Sequence, residues 1–510
     1  MRRGALLAVV LVVAVALSTL LLARVGVGGE QPPGSGTSGA TTAAGVVSPA
    51  PASPPSGEAA PSVPPAPSVA PSPSGEAAPS ATPAATVAAC PWGGRLDRPD
   101  RSVEVDYPVS GYFMLTTADR CATRAKVQGA HAIGADTIVT FGAELTPVTV
   151  GALRRPAKDN PFAGFAVDGT DGYRYATART GGGRIRDVYT YANKSAFSDA
   201  ALFCPRRDGR SRTPDGDFTW WLLPVEGGYS DCDSPSRTYD LVVSYGGSVD
   251  ADTLLVADAA RFGMSVYLGM PRPRPDPGVG FVADASYTQT LGGFTSRVLA
   301  DWDRKFGRLD AFAGAYQTVE TAVFTNADVW RPNLKVYELQ NRIVGFRLPK
   351  AKQRVVVSPY ADLRRGALPV SAVRPSFQQI ADTAAGVRMI LAPQDGGGTG
   401  RVGAFRPGDG GTRVRADLRG VVGRTTYGAA YAASTATLYA EASRVRGVTL
   451  WANVEAFRPP GQVGHRAPGR LDVLDTQVAL ARPHVQKVIA YRWDEYLDGS
   501  GLADQIRARG

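Results

Sequence analysis

The chain has 510 residues and a formal net charge of +10, with 56 Lys and Arg against 46 Asp and Glu. The excess is spread out, and no basic run is interleaved with aromatics, which argues against a nucleic-acid binder. Attraction to an anionic cell surface accounts for the same charge.

Residues 1–30 open with MRR and continue into "ALLAVVLVVAVALSTLLLA" (5–23), a run without charge. This has the basic and apolar regions of an export signal, and its length also suffices for a membrane anchor. Cleaved signal and retained anchor both stay open, and either places the rest outside the cytoplasm. Residues 31–89 are mostly Pro, Ala, Ser, Gly and Thr, with "PSGEAAPS" occurring twice. Such a tract has too little apolar surface to fold and reads as a disordered linker.

Residues 90–510 are expected to form one decorated catalytic domain. Its four cysteines, Cys90, Cys121, Cys204 and Cys232, include no C-x-x-C pair. An even number in an exported chain suggests two disulfides. Three connectivities are open, and Cys90–Cys121 with Cys204–Cys232 gives the shortest loops, each worth roughly 3–4 kcal/mol in the chain-entropy picture.

Apolar runs then alternate with helical patterns. The expected strands lie within 110–117, 136–142, 263–270, 310–320, 354–362, 388–396, 448–457 and 487–496. Helix-period segments such as 250–262, 295–307 and 425–447 separate them. Eight strands each followed by a helix predict an α/β fold, a (β/α)₈ TIM barrel. A large insertion after strand two, 143–236, breaks the rhythm and holds "FTWWLLPVEGGYSDC". As a βα loop it is expected to roof the active-site end, with Trp220 and Trp221 in its own small core or on a ligand.

Acids gather at the strand ends expected at the barrel mouth: Glu144, Glu320, Asp362, Asp395, Glu455 and the "WDEY" of 493–496. "LWANVEAF" (450–457) is the most telling. By the two-residue period of a strand, Trp451, Asn453 and Glu455 share one face. A buried carboxylate is costly unless paired or engaged in chemistry. Two carboxylates flanking an acetal carbon are what glycoside hydrolysis needs, so Glu320 and Glu455, from strands four and seven, are the candidate catalytic pair. No cofactor or metal is expected. "GGGTG" (396–400) lacks nucleotide-loop spacing, the three histidines are not spaced as metal ligands, and no G-x-S-x-G elbow occurs in the domain.

"GYFM", "GMSVYLG", "GAYQTVE", "VVVSPY", "QDGGG" and "LWANVEAF" together resemble a bacterial domain-of-unknown-function family regarded as glycoside hydrolases. That family is similar to the clan of retaining TIM-barrel glycosidases with glutamates ending strands four and seven. The resemblance covers roughly 106–500 without much of the insertion. It implies Glu320 as acid/base and Glu455 as nucleophile. Val319 departs from the clan, which usually has Asn before the strand-four glutamate. Asp395, Asn453, Tyr360, Trp493, Gln394 and Trp451 are the candidate substrate contacts. The expected partner is a carbohydrate, with a membrane tether if the N-terminal segment is retained. The rival expectation is a catalytically silent barrel that binds cell-wall or matrix glycans.

Overall fold

The computed structural model describes residues 90–510, apart from 95, 159, 194, 215, 247–248, 325, 363–367, 400–426 and 459–466. The N-terminal segment and the linker lie outside the described residues. Eight parallel strands close into a barrel: β1 Gly111–Met114, β2 Thr137–Thr140, β3 Ser265–Gly269, β4 Phe312–Gln317, β5 Arg354–Val357, β6 Arg388–Leu391, β7 Val448–Glu455 and β8 Lys487–Tyr491. Closure is made by β1 and β8, with Gly111 opposite Ile489 and Tyr112 opposite Ala490. The expected (β/α)₈ barrel is what the chain forms.

Each strand leads to a helix: α1 Arg120–Ala132, α2 Ala251–Arg261, α3 Thr288–Phe306, α4 Ala327–Arg347, α5 Val370–Ala381, α6 Tyr427–Ala442, α7 Leu471–Ala481 and α8 Leu502–Arg507. Several begin on a side-chain cap. Asp119 accepts from the Ala122 N–H at α1, and Asp250 from the Thr253 N–H at α2. Such caps satisfy backbone donors that the first helical turn leaves over.

Alternation along the strands sorts side chains into two cores. Phe113, Val139, Tyr267, Tyr316, Val356, Ile390, Trp451 and Ile489 fill the barrel interior. Their neighbours, such as Ala452 and Val454 of β7, pack outward among the residues contacting the helices. With both faces buried, the strands carry continuous apolar runs.

Both shortest-loop disulfides are present, Cys90–Cys121 and Cys204–Cys232, with Cα separations of 5.5 and 5.4 Å. Between β2 and α2 the chain builds five strands of a six-stranded sheet, whose sixth, edge strand comes from the segment after β3. Its strand order is 272–273, 144–148, 184–192, 238–246, 216–224 and 208–213. The excursion therefore runs to Gly246, ten residues beyond the boundary at 236, because 238–246 pairs with 184–192 and 216–224. Trp220 sits in the sheet's own core with Phe218 and Leu241. Trp221 packs edge-on to Phe294 of α3, ring centroids 5.2 Å apart. Both indoles serve packing, not a ligand.

Candidate active site

At the C-terminal mouth of the barrel lies a cleft of about 510 Å³. Glu320 and Glu455 both line it, joined by Tyr360, Gln394, Thr399, Phe141, Phe457 and Tyr491. None of the described residues of 143–246 lines this cleft, so the insertion does not roof it as expected; its Tyr191 and Asn193 line a neighbouring hollow beside the β1 and β2 ends. The inserted sheet instead packs beside it, against α3.

The floor is built by extending the strand ladder past the strand ends. Isolated parallel bridges join Ala322 to Tyr360, Tyr360 to Gln394 and Gln394 to Asn453. The Tyr360 N–H donates to the Thr321 carbonyl and the Gln394 N–H to the Pro359 carbonyl. These bonds hold Tyr360 and Gln394 at the rim, between the two glutamates in strand order.

Glu455 ends β7 and is 3 % exposed. Its Oε1 accepts the Thr399 hydroxyl at 3.2 Å, and its Oε2 accepts the Thr399 N–H. Both bonds favour the ionised carboxylate. The glycines before Thr399 make this approach feasible. Gly396 takes φ +67, a left-handed value that costs glycine little. A Cβ on Gly398 would lie 2.6 Å from the Phe457 carbonyl oxygen. The run "DGGGT" is thus a backbone laid against the end of β7, which brings Thr399 to the carboxylate. Thr399 is the residue sequence reasoning missed, and the three glycines preceding it were the available signal.

Glu320 lies three residues past β4, and its Oε1 accepts the Tyr316 hydroxyl at 3.1 Å. Tyr316 is wholly buried, and desolvation raises its pKa far above the usual phenol value, so it stays a neutral donor. Val319, where the resembled clan usually has Asn, also lines the cleft. The rings of Phe141, Phe457 and Tyr491 make an aromatic wall, with Tyr491 5.7 Å from Phe141 and 5.8 Å from Phe457. Tyr491, not the expected Trp493, is the strand-eight aromatic of the cleft.

No family model and no curated protein matches this chain. The resemblance to the domain-of-unknown-function family therefore rests on the motifs. Among solved structures, the chain is similar to a "putative alpha-L-fucosidase" from Bacteroides thetaiotaomicron, at 13 % identity and a TM-score of 0.43, over 80 % of this chain and 95 % of that one. It is also similar to an intracellular xylanase from Thermoanaerobacterium saccharolyticum, at 10 % identity and a TM-score of 0.26, over 48 % of this chain and 70 % of that one. The barrel assignment stands on the strand pairing itself.

Four of the expected substrate contacts do not reach the cleft. Trp451 lies in the barrel interior, edge-on to Tyr267 at 5.7 Å. Asn453 is fully buried below the rim, donating to the Ser358 hydroxyl at 2.8 Å. Inward on a barrel strand means the packed interior until the last residue, so only Glu455 of the three emerges at the mouth. Trp493 is buried against Tyr112, ring centroids 5.1 Å apart, in the turn after β8.

Asp395, the fourth, is 0 % exposed and works behind Glu455. Its Oδ1 accepts the N–H groups of Gly397 and Glu455, each at 3.1 Å. Its Oδ2 accepts Gln477 at 2.6 Å and the Tyr431 hydroxyl at 3.3 Å. Asp395 thereby ties the glycine loop to the end of β7. Of the other rim acids, Glu144 pairs with Arg272 at 3.3 Å, and Asp494 accepts the Leu115 N–H at 2.7 Å. Most of the acidic ring thus holds structure together, and the carboxylates of Glu320 and Glu455 line the cleft.

Burial pushes the Asp395 carboxyl up to about 6, against an ordinary value near 4. Because the folded-state value is raised, the folded chain holds the proton more tightly than the unfolded chain. Its contribution to stability is full below about pH 4 and is lost as pH rises through about 6. Asp395→Asn should flatten that part of the stability–pH curve. It should also cost stability throughout, because the one remaining oxygen can keep the Gly397 and Glu455 N–H groups only by turning the N–H₂ toward the Gln477 donor. Chemical denaturation of both proteins from pH 4 to 7 checks this; parallel curves would contradict it.

Proposed function

We propose that this protein is an exported glycoside hydrolase that cleaves a polysaccharide or glycoconjugate with retention, Glu455 acting as nucleophile and Glu320 as acid/base. The observation that carries the reading is the meeting of two glutamates, from the β4 and β7 ends, in one cleft at the barrel's C-terminal mouth. That face is where catalytic groups of such barrels come together. The motif resemblance supports the same roles, and two disulfides fit export through residues 1–30. The proposed organisation is an export segment, a linker to residue 89 and one catalytic domain from Cys90.

In this mechanism Glu455, held by the two Thr399 donors, attacks the anomeric carbon as the carboxylate. Glu320 gives its proton to the leaving oxygen. Once the glycosyl ester forms, Glu320 takes a proton from the incoming water, which displaces Glu455 and restores the starting state. The Phe141, Tyr491 and Phe457 rings offer apolar faces to a sugar, and Tyr360 and Gln394 offer hydrogen bonds.

The test is release of reducing ends from a panel of polysaccharides by residues 90–510. Product from at least one member supports the reading. Binding of a glycan without any product would replace it with the silent barrel.

A further inference from the structure

The wall of the cleft that follows β3, beside the β4 end in strand order, carries two arginines. The segment after β3 runs "RPRPDP", and both of its arginines, Arg272 and Arg274, line the cleft. Two positions apart on extended chain, they fall on the same side. The backbone of this segment is fixed from two directions. Arg272 and Pro273 form the edge of the inserted sheet, in parallel register with Glu144 and Leu145. The Arg274 N–H donates to the Tyr287 hydroxyl at 2.6 Å, which in turn donates to the Leu145 carbonyl at 2.9 Å.

Neither guanidinium is consumed by its neighbours. Arg272 meets Glu144 through Nη2 at 3.3 Å, and Arg274 meets Asp284 through Nε at 2.9 Å. An arginine carries five N–H donors, so each ion pair uses a minor part of its fork. The two side chains keep 46 % and 38 % exposure. The carboxylates of Glu144 and Asp284 hold the guanidinium groups in place without covering them. Surface ion pairs of this kind add little stability, so a fold built only for stability gains little from placing both arginines here.

The charge of the whole chain points the same way. Residues 1–89 hold Arg2, Arg3 and Arg24 against Glu30, Glu58 and Glu76, which cancel. The full excess of +10 therefore belongs to residues 90–510. A cationic domain draws in polyanions, and the open N–H donors of the two guanidinium groups can hold them by charge-assisted, bidentate hydrogen bonds.

We infer that the substrate is an acidic glycan, whose negatively charged substituents are recognised by Arg272 and Arg274 in the same cleft as the glutamate pair. This rests on the glycan-cleft reading above and names the class of glycan. A uronate carboxylate matches the planar guanidinium fork, and a sulfate ester offers the same charge.

The experiment separates the inference from the reading beneath it by measuring binding and cleavage independently. Binding uses the Glu455→Gln chain in affinity electrophoresis against hyaluronate, alginate and polygalacturonate, each beside its carboxyl-reduced form. Dextran sulfate beside dextran forms the sulfate arm. The expected result is retention of at least one acidic polymer about tenfold more tightly than its neutral counterpart. The preference should weaken with salt and collapse in Arg272→Gln/Arg274→Gln. Dextran sulfate alone being retained assigns the wall to sulfate esters. Equal retention of acidic and neutral forms, no retention of either, or a preference that survives the double substitution overturns the inference. Reducing-end release by the wild type reports on the hydrolase reading whichever of these occurs.

Discussion

Glu455→Gln is expected to lower turnover of the natural glycan by roughly 10³-fold or more, because no other carboxylate can replace the attacking group. The fold should survive. The amide is isosteric, its oxygen can accept the Thr399 N–H, and its N–H₂ can donate to the Thr399 hydroxyl that now serves Glu455 Oε1. A Tm within about 2 °C of the wild type, with activity lost, is the predicted combination. Lost activity with a collapsed Tm would instead assign Glu455 to stability.

Glu320→Gln should behave differently. Removing the general acid costs roughly 10²–10⁴-fold on a glycan whose leaving group needs a proton. An aryl glycoside with an acidic phenol as leaving group needs no such proton, so the first step should proceed near the wild-type rate. Deglycosylation then limits, because water lacks its base. Added azide, which needs no base, should restore turnover and give a glycosyl azide of retained configuration. Glu455→Gln should gain nothing from the activated leaving group. Equal responses of the two variants would contradict the division of roles.

The barrel was legible because each of its strands is buried on both faces and bounded by turns. "RVVV" at 354–357 and "RMIL" at 388–391 admit few other readings. The inserted sheet was harder to read. Its strand 184–192, "RIRDVYTYA", is exposed at four of its nine residues and has little apolar period. Its strand 238–246 lies just past the expected boundary at 236 and shortly before α2, where no strand was expected.

For the site, alternation along β7 correctly placed Trp451, Asn453 and Glu455 on one face. What it did not supply was depth along the strand, and depth decides whether an inward side chain meets packed rings or the cleft. The acids around the mouth looked alike in sequence. Glu144 and Asp494 turned out to be tied to Arg272 and to the Leu115 N–H, contacts made across long stretches of chain. Asp395 drew notice as an acid at a strand end, yet its role follows from donors on Gly397, Glu455, Tyr431 and Gln477, which only the fold assembles. Thr399 carried no signal of its own, and the close approach of its loop was written in the glycines before it.

Whether Glu455 is the nucleophile of a glycan-cleaving site is tested most directly by reducing-end release from the wild type and Glu455→Gln side by side on one polysaccharide panel, with folding checked by Tm. Product from at least one glycan is expected with the wild type, and a loss of roughly 10³-fold or more with Glu455→Gln. Equal release by both proteins, or glycan binding by the wild type with no release at all, would contradict that role.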